Sequence, residues 1–405
     1  MFVGMGVRIG LLASAAAAAY SPASLFAASE PGVWYDPSDL TTLFQDTAGT
    51  TPVTAAGQSV ALVLDKSKGL AFGSELASGS WANSGSLPFN SFSSSGSGFN
   101  ATKSVSGTQQ QAYIGSFPVT VGMLYYLEAV VSGNTMTAFF DISTLTTQRS
   151  NQFSIPAGSS TVRGYFIPTS TQASANLRVI TISASTGSIT VSSVTLKQLA
   201  GNHATQATAA SRPTYQVDGN GKPYLSFDGV DDFLVTPTIT PGTDKAQVFA
   251  GVRKLSDATN GVIAEHSADW NSNNGSFLFY TGIGNAAGPN YSSSSRGNAA
   301  AALGQFAVSA GSFAAPITGV VTATHDIAGD LSAVRVNGAA SGTNGTADKG
   351  TGNFLAYPAY IGRRGGTTLP FNGRIYSLIT RFGANLTAQQ ISDTETWVNG
   401  KTGAY

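Results

Sequence analysis

The chain has 405 residues, 21 basic and 21 acidic, so its formal net charge is zero and only 10% of its residues are charged. Ordinary soluble domains carry roughly 25%, and without a basic excess to neutralise phosphates a nucleic-acid partner is excluded. Cysteine is absent and the three histidines are His203, His266 and His325, which excludes disulfides, thiolate metal sites, a cysteine nucleophile and a multi-histidine centre; no cofactor is expected.

In chain order, Met1 to Ser29 opens with an apolar run, Ile9 to Ala19, behind Arg8. The run is too short for a spanning helix, which takes about 20 apolar residues, so no membrane span is expected. A secretory signal has a similar apolar region, but Arg8 is the sole charge before it, and Gly4, Gly6 and Gly10 weaken a helix. The segment reads instead as an assembly arm gripping a partner through Arg8, Ile9, Leu11, Leu12, Leu25, Phe26, Trp34 and Tyr35. A mature end near Ala27 would mark secretion. The turn-rich stretch to Gly69, with Asp39 or Ser38 capping a short helical turn, completes an arm and connector over residues 1–69.

Residues 70–200 change to short β segments separated by Gly, Ser and Asn. The clearest are Ala112 to Val121, Leu124 to Val131, Met136 to Ile142, Thr161 to Ile167, Leu177 to Ser183 and Ser188 to Leu196. Their spacing suits a β-sandwich. Gly133-Asn134 reads as a two-residue hairpin turn, and Ser91 to Gly98 as a low-complexity loop. Residues 201–405 hold a second β set: Lys222 to Phe227, Asp232 to Thr236, Ala246 to Lys254, Gly261 to His266, Ser276 to Gly282, Ile317 to Asp326, Ser332 to Asn337, Ala359 to Gly362 and Asn372 to Phe382. One helix is expected, Leu386 to Val398, capped by Thr387 and ended by Gly400. The fold class is therefore mostly β: two tandem jelly-roll β-sandwiches behind an extended N-terminal arm, with one short C-terminal helix.

The segments RPTYQVDGNGKPYLSFDGVDDFL, VVTATHDIAGDLSAVRVNG and YIGRRGG through NGKTG resemble the concanavalin A-like, laminin G-like jelly rolls. The first β set, closing on SITVSSVTLKQLAGNHATQ, is similar to carbohydrate-binding-module or galactose-binding-like sandwiches. The opening SPASLFAASEPGVWYDPSDLTTLFQDTAGTTPV resembles tailed-bacteriophage virion proteins described as tail fibre or structural proteins. The resemblance implies a structural component on the exposed surface of a virion, held to other virion proteins by its arm. It also implies lectin-like modules for host-surface polysaccharide. The uncharged, Ser/Thr/Gly-rich surface fits a homo-oligomer such as a trimer.

Few residues suggest chemistry. Retaining glycoside hydrolysis needs two carboxylates about 5–5.5 Å apart, and Glu265 with Asp269 is the one pairing with useful spacing. It would carry the alternative reading, a glycan depolymerase; a secreted or surface bacterial lectin is another. The scarcity of Glu otherwise argues for no enzyme. Asp228, Asp231 and Asp232 could offer oxygens to calcium or simply form an Asp-Gly turn, and no metal is assigned. For sugar binding, an aromatic face beside planar polar groups is wanted. Trp270, Asn273, Asn274, Tyr280, Tyr291 and Arg296, on a long polar loop, form the leading glycan surface; a subunit contact is the competing use. Trp81 with Asn83 is a second possibility, though a lone Trp in a jelly roll is more often core. Trp34 and Trp397 read as packing residues, and Arg363-Arg364 as a solvated turn.

Overall fold

A computed structural model of the chain describes residues 20–143, 150–284, 286–299, 306–344 and 347–405. Among these residues the protein is mostly β, with a single α-helix at the C-terminus. Strand alternation builds two sandwiches. In the first, a six-stranded sheet has Leu124–Asn134 near its centre, paired with Ser160–Phe166 on one side and Gly187–Leu199 on the other. A five-stranded sheet centred on Gln172–Thr181 faces it. Tyr125, Leu127, Ala129 and Val131 point into the shared core with Phe140, Leu177 and Val179; the intervening Tyr126, Glu128 and Val130 point outward, as a two-residue period requires.

The C-terminal sandwich stacks an eight-stranded sheet, built around Asn372–Phe382 and Lys245–Lys254, on a nine-stranded one containing Gly261–His266, Ser276–Ile283 and Ala286–Arg296. Val248, Ala250, Phe277, Phe279, Val321 and Leu378 fill the space between them. The stretch read as a connector is part of this sandwich. Gly32–Tyr35 pairs with Asn372–Phe382 in one sheet, while Leu43–Phe44 and Leu62–Val63 extend the other.

That placement corrects the reading of the arm. Arg8, Ile9, Leu11 and Leu12 lie outside the described residues. Leu25, Phe26 and Trp34 are buried within their own chain, against Phe249, Val320, Ile379 and Val398. Tyr35 lies in the inner core. The outer face of the eight-stranded sheet is apolar here, and the terminal helix covers only part of it; the Pro22–Phe26 turn and the strand after it cover the rest. Trp34 meets Trp397 edge-on at 5.6 Å, and Lys66 and Lys401 lie over the two rings. Both tryptophans are packing residues, as expected.

The helix spans Ala388–Thr402, and Thr387 with Gln390 forms a full capping box. It runs past Gly400 and stops at Gly403, whose φ of +62° supplies the left-handed cap that an L side chain resists. Two further local readings change. Gly133 and Asn134 remain in strand; the next residues carry the chain across to the opposite sheet instead of turning a hairpin. Ser91 to Gly98 is no loop but a hairpin edge, Ser91–Ser95 paired with Gly98–Lys103.

Where the sandwiches meet, Leu62 and Leu64 of the C-terminal one pack on Leu124, Tyr165 and Leu199 of the first. A buried carboxylate ties the joint: Asp65 accepts from the backbone N–H groups of Trp34, Ser67 and Asn202 and from the Ser67 hydroxyl, all within 2.8 Å. His203 Nδ1 accepts from the Asp65 N–H at 2.9 Å, so its Nε2 carries the proton toward the Leu199 carbonyl. Burial holds the His203 pKa down, against the pull of Asp65.

Candidate functional site

The residues expected to form a sugar-binding loop do not present one. Tyr280 and Tyr291 lie on adjacent strands, and Ser292 to Arg296 continue the second of these instead of forming a loop. Trp270, Tyr280 and Tyr291 are at most 1% exposed, and Phe306 covers both Trp270 and Tyr280. Arg296 is buried and donates to the carbonyls of Trp270 and Asn271 and to the Asn274 side chain. Asn273 is half-buried, and its carbonyl accepts from Ser276. None of these three rings, Trp270, Tyr280 and Tyr291, keeps a face free for a pyranose. The serine run misled because it lacks alternation; its hydroxyls find partners inside, Ser292 on the Gly282 carbonyl and Ser293 on that of Leu278.

Glu265 is fully buried on this sheet. It accepts from the Trp270 N–H at 2.5 Å and from Arg364 Nε at 2.9 Å, and Arg364 also reaches Asp269 at 3.5 Å. Burial pushes Glu265 up to about 7, with Arg364 pulling the other way. Both carboxylates are thus tied to one guanidinium, and while the Asp269 side chain reaches solvent, Glu265 does not face open space as an acid–base partner would need. Arg364 is therefore a largely buried ion-pair partner and not a solvated residue. Arg363 donates to the Asp231 and Thr367 carbonyls.

The carboxylates of Asp228, Asp231 and Asp232 converge within 4.8 Å. Asp228 accepts from the N–H groups of Val230 and Asp231, Asp232 from that of Asp228, and Asp231 from the Ser211 hydroxyl. These bonds are those of an Asp-Gly turn. Burial, with Asp228 adding to it, pushes Asp232 up to about 7. Trp81 is core, with its indole N–H on the Ser97 carbonyl.

An exposed aromatic surface occurs instead on the outer face of the six-stranded sheet. Leu124, Tyr165 and Leu199 on that face are covered by the C-terminal sandwich. At the edge of that cover Tyr126, half-buried against the same cluster and paired with Tyr165, stands beside Lys197 in register. Phe72, 49% exposed, comes from the added strand Phe72–Glu75, its ring 5.2 Å from that of Tyr126. In the next row Arg163, Glu128 and Thr195 line up across three strands. Glu128 Oε2 accepts from both Arg163 Nε and the Tyr126 hydroxyl at 2.8 Å. Arg163 and the hydroxyl of Tyr126 hold the Glu128 carboxyl below its usual range, and burial with the Glu128 contact pushes Tyr126 up to about 12. Lys197 makes no ion pair among the described residues.

A groove of about 410 Å³ adjoins this platform at Arg163. Its lining is apolar at Phe153, Val162 and Pro156 and polar at Thr50, Gln152, Ser154 and Thr161. The loop carrying Thr50 comes from the C-terminal sandwich and is fixed in place. Asp46 accepts from the N–H groups of Thr50 and Thr51, and Tyr165 N–H donates to the Ala48 carbonyl at 2.6 Å. Nothing in the sequence pattern marked Phe72, Tyr126, Glu128, Arg163 and Lys197 together. They come from four strands, and only the hydrophobic–polar alternation of Leu124–Asn134 hinted that Tyr126 and Glu128 share the outer face.

No family model matches this chain, and no curated protein matches it. Among solved structures, the botulinum neurotoxin type G receptor binding domain is 12% identical, with a TM-score of 0.30 and 47% of each chain covered, so this chain spans about half of that one. A Bacteroides ovatus protein described as a candidate carbohydrate binding protein is 12% identical over 73% of this chain and 79% of its own, TM-score 0.31. Trypanosoma rangeli sialidase, solved with the inhibitor DANA, is 10% identical over 74% of this chain and 60% of its own, TM-score 0.32. Likenesses this distant assign neither ligand nor activity. Fold and surface together define a two-sandwich β protein with an exposed aromatic and charged face beside the joint.

Proposed function

We propose that this protein is a non-enzymatic glycan binder whose sugar platform is the outer face of the first sandwich. One observation carries the reading: the exposed Phe72 ring beside the half-buried Tyr126, flanked by Glu128, Arg163 and Lys197. The rings offer an apolar surface to the C–H face of a pyranose. The carboxylate accepts from hydroxyls, while the unused guanidinium and ammonium donors reach hydroxyl oxygens. Glu128 offsets Arg163 and leaves Lys197 as one net positive charge on the face, while the adjoining groove, whose one charged residue is the neutralised Arg163, suits a neutral sugar.

The setting we propose, supported by the sequence resemblance alone, is adhesion to host polysaccharide from the surface of a tailed-bacteriophage particle. Many copies would sum weak contacts into avidity. Attachment to the particle falls to the stretch before Tyr20, because the rest of the expected arm is engaged in its own fold.

The test is retention of the protein on neutral polysaccharide gels. Tyr126→Ala should abolish retention, a loss of about 1–3 kcal/mol for one stacking ring by analogy with base stacking, and Phe72→Ala, at the exposed ring, should weaken it with an unchanged melting temperature. Retention of Tyr126→Ala equal to the parent would exclude this face. Reducing ends released from host capsule, and lost on Glu265→Gln, would instead favour the depolymerase.

A further inference from the structure

We infer that the groove beside Arg163 holds the continuation of the same glycan, so that the ligand is an internal stretch of a neutral oligosaccharide and not a terminal sugar. The inference rests on the platform reading above. Three observations carry it beyond that reading.

The first is continuity. Arg163 belongs to both surfaces: its Nε is fixed on Glu128 at the platform's edge, and its side chain lines the groove. A chain stacked on Tyr126 and bonded near Glu128 has its next unit directed over this residue. The second is chemistry. The lining offers the hydroxyls of Thr50, Ser154 and Thr161 and the amide of Gln152 together with apolar Phe153, Val162 and Pro156. Hydroxyls and amides match the donor-and-acceptor hydroxyls of a neutral sugar; Arg163 is the sole charged residue in the lining, and Glu128 already neutralises it. A volume of about 410 Å³ falls within the roughly 300–1,000 Å³ of small-molecule sites.

The third is preorganisation. Gly164 lets the Phe153 ring lie flat on its strand, where a Cβ would come within 2.2 Å of the ring. Gly49, at φ +61°, turns the Thr50 loop against the Tyr165 ring, where a Cβ would clash at 2.3 Å. Asp46 then locks that loop through three bonds to Thr50 and Thr51. A site shaped before binding spends little on ordering its own walls. Because the lining comes from both sandwiches, the joint between them shapes the groove.

The experiment is calorimetric titration of the full chain with a ladder of one to six units cut from whichever neutral homopolysaccharide the protein retains. Affinity should rise at least about tenfold from one unit to four, the equivalent of 1.4 kcal/mol, and then level off. Thr161→Trp fills the groove from an exposed position. It should erase the rise with length and leave single-unit binding unchanged. Gln152→Ala should weaken only the longer ligands. A ladder with equal affinity throughout, or a rise that persists in Thr161→Trp, overturns the groove while leaving the platform standing. Wild-type binding that Tyr126→Ala does not weaken overturns the platform, and with it this inference. A ladder that saturates at one unit on the parent protein also overturns it.

Discussion

Single side chains set both the chemistry and the pH response of this protein. Asp232 and Glu265, ordinarily near 3.8 and 4.5, are pushed up to about 7 by burial. The folded chain therefore holds protons that the unfolded chain has lost, and stability falls as pH rises from about 4 to about 7. His266 and His325 act in the opposite sense. Burial holds them down to about 4 and about 3, so their contribution is complete above their ordinary 6.5 and lost as pH falls below it. Between pH 4.5 and 6.5 the two trends oppose. Asp232→Asn removes one carboxylate, so its unfolding free energy should climb more steeply from pH 5 to pH 7 than the parent's, read by urea denaturation at each pH. Parallel curves would show that Asp232 holds no proton in the folded state. Asp65 acts at the joint. Replacing it with Ala orphans three buried N–H donors and a hydroxyl, and should cost about 2–4 kcal/mol in the same measurement.

At the scale of elements, the decisive piece is the stretch Pro22–Phe26 with the strand Gly32–Tyr35. Its apolar residues behave as core: Leu25 and Phe26 are buried under the helix and beside Trp34. The Arg381 guanidinium ties it further, donating to the Leu25 carbonyl at 2.7 Å and to Glu30 at 2.9 Å. Leu25→Ala should therefore destabilise the protein by about 2–4 kcal/mol, as a large-to-small change in a packed core does. An arm that folds only on a partner subunit would show no loss in the isolated protein. The helix itself is held by its box, and Thr387→Ala should cost about 1 kcal/mol.

For the molecule as a whole, the joint matters most, because it covers one end of a sheet face and the platform lies at the edge of that cover. Leu62 and Leu64 pack against Leu124, Tyr165 and Leu199 across the joint, and contacts of this kind should couple the unfolding of the two sandwiches. The parent should melt in one calorimetric transition and Leu124→Asp in two. The same variant should lose the length dependence of glycan binding, since the Thr50 wall of the groove belongs to the other sandwich.

The sequence by itself determined the class, the two sandwiches and most strands, because alternation and turn residues are local properties. Gly261–His266, Ile317–Asp326 and Asn372–Phe382 fall at the bounds expected from pattern alone. It also marked Thr387 as a cap and Trp397 as a packing residue, while leaving Trp34 both packing and part of the arm, and Trp81 a second sugar candidate, more often core. Only the tertiary structure decided which aromatics face water. Trp270, Tyr280 and Tyr291 carry loop-like neighbours yet lie beneath Phe306 or inside the core, whereas Phe72 looks like an ordinary strand residue and stands exposed beside a half-buried Tyr126. Exposure depends on what lies above a residue. For this protein that is a second sheet face or a distant loop, brought there by pairings such as Gly32–Tyr35 with Asn372–Phe382 that cross more than 300 positions of sequence.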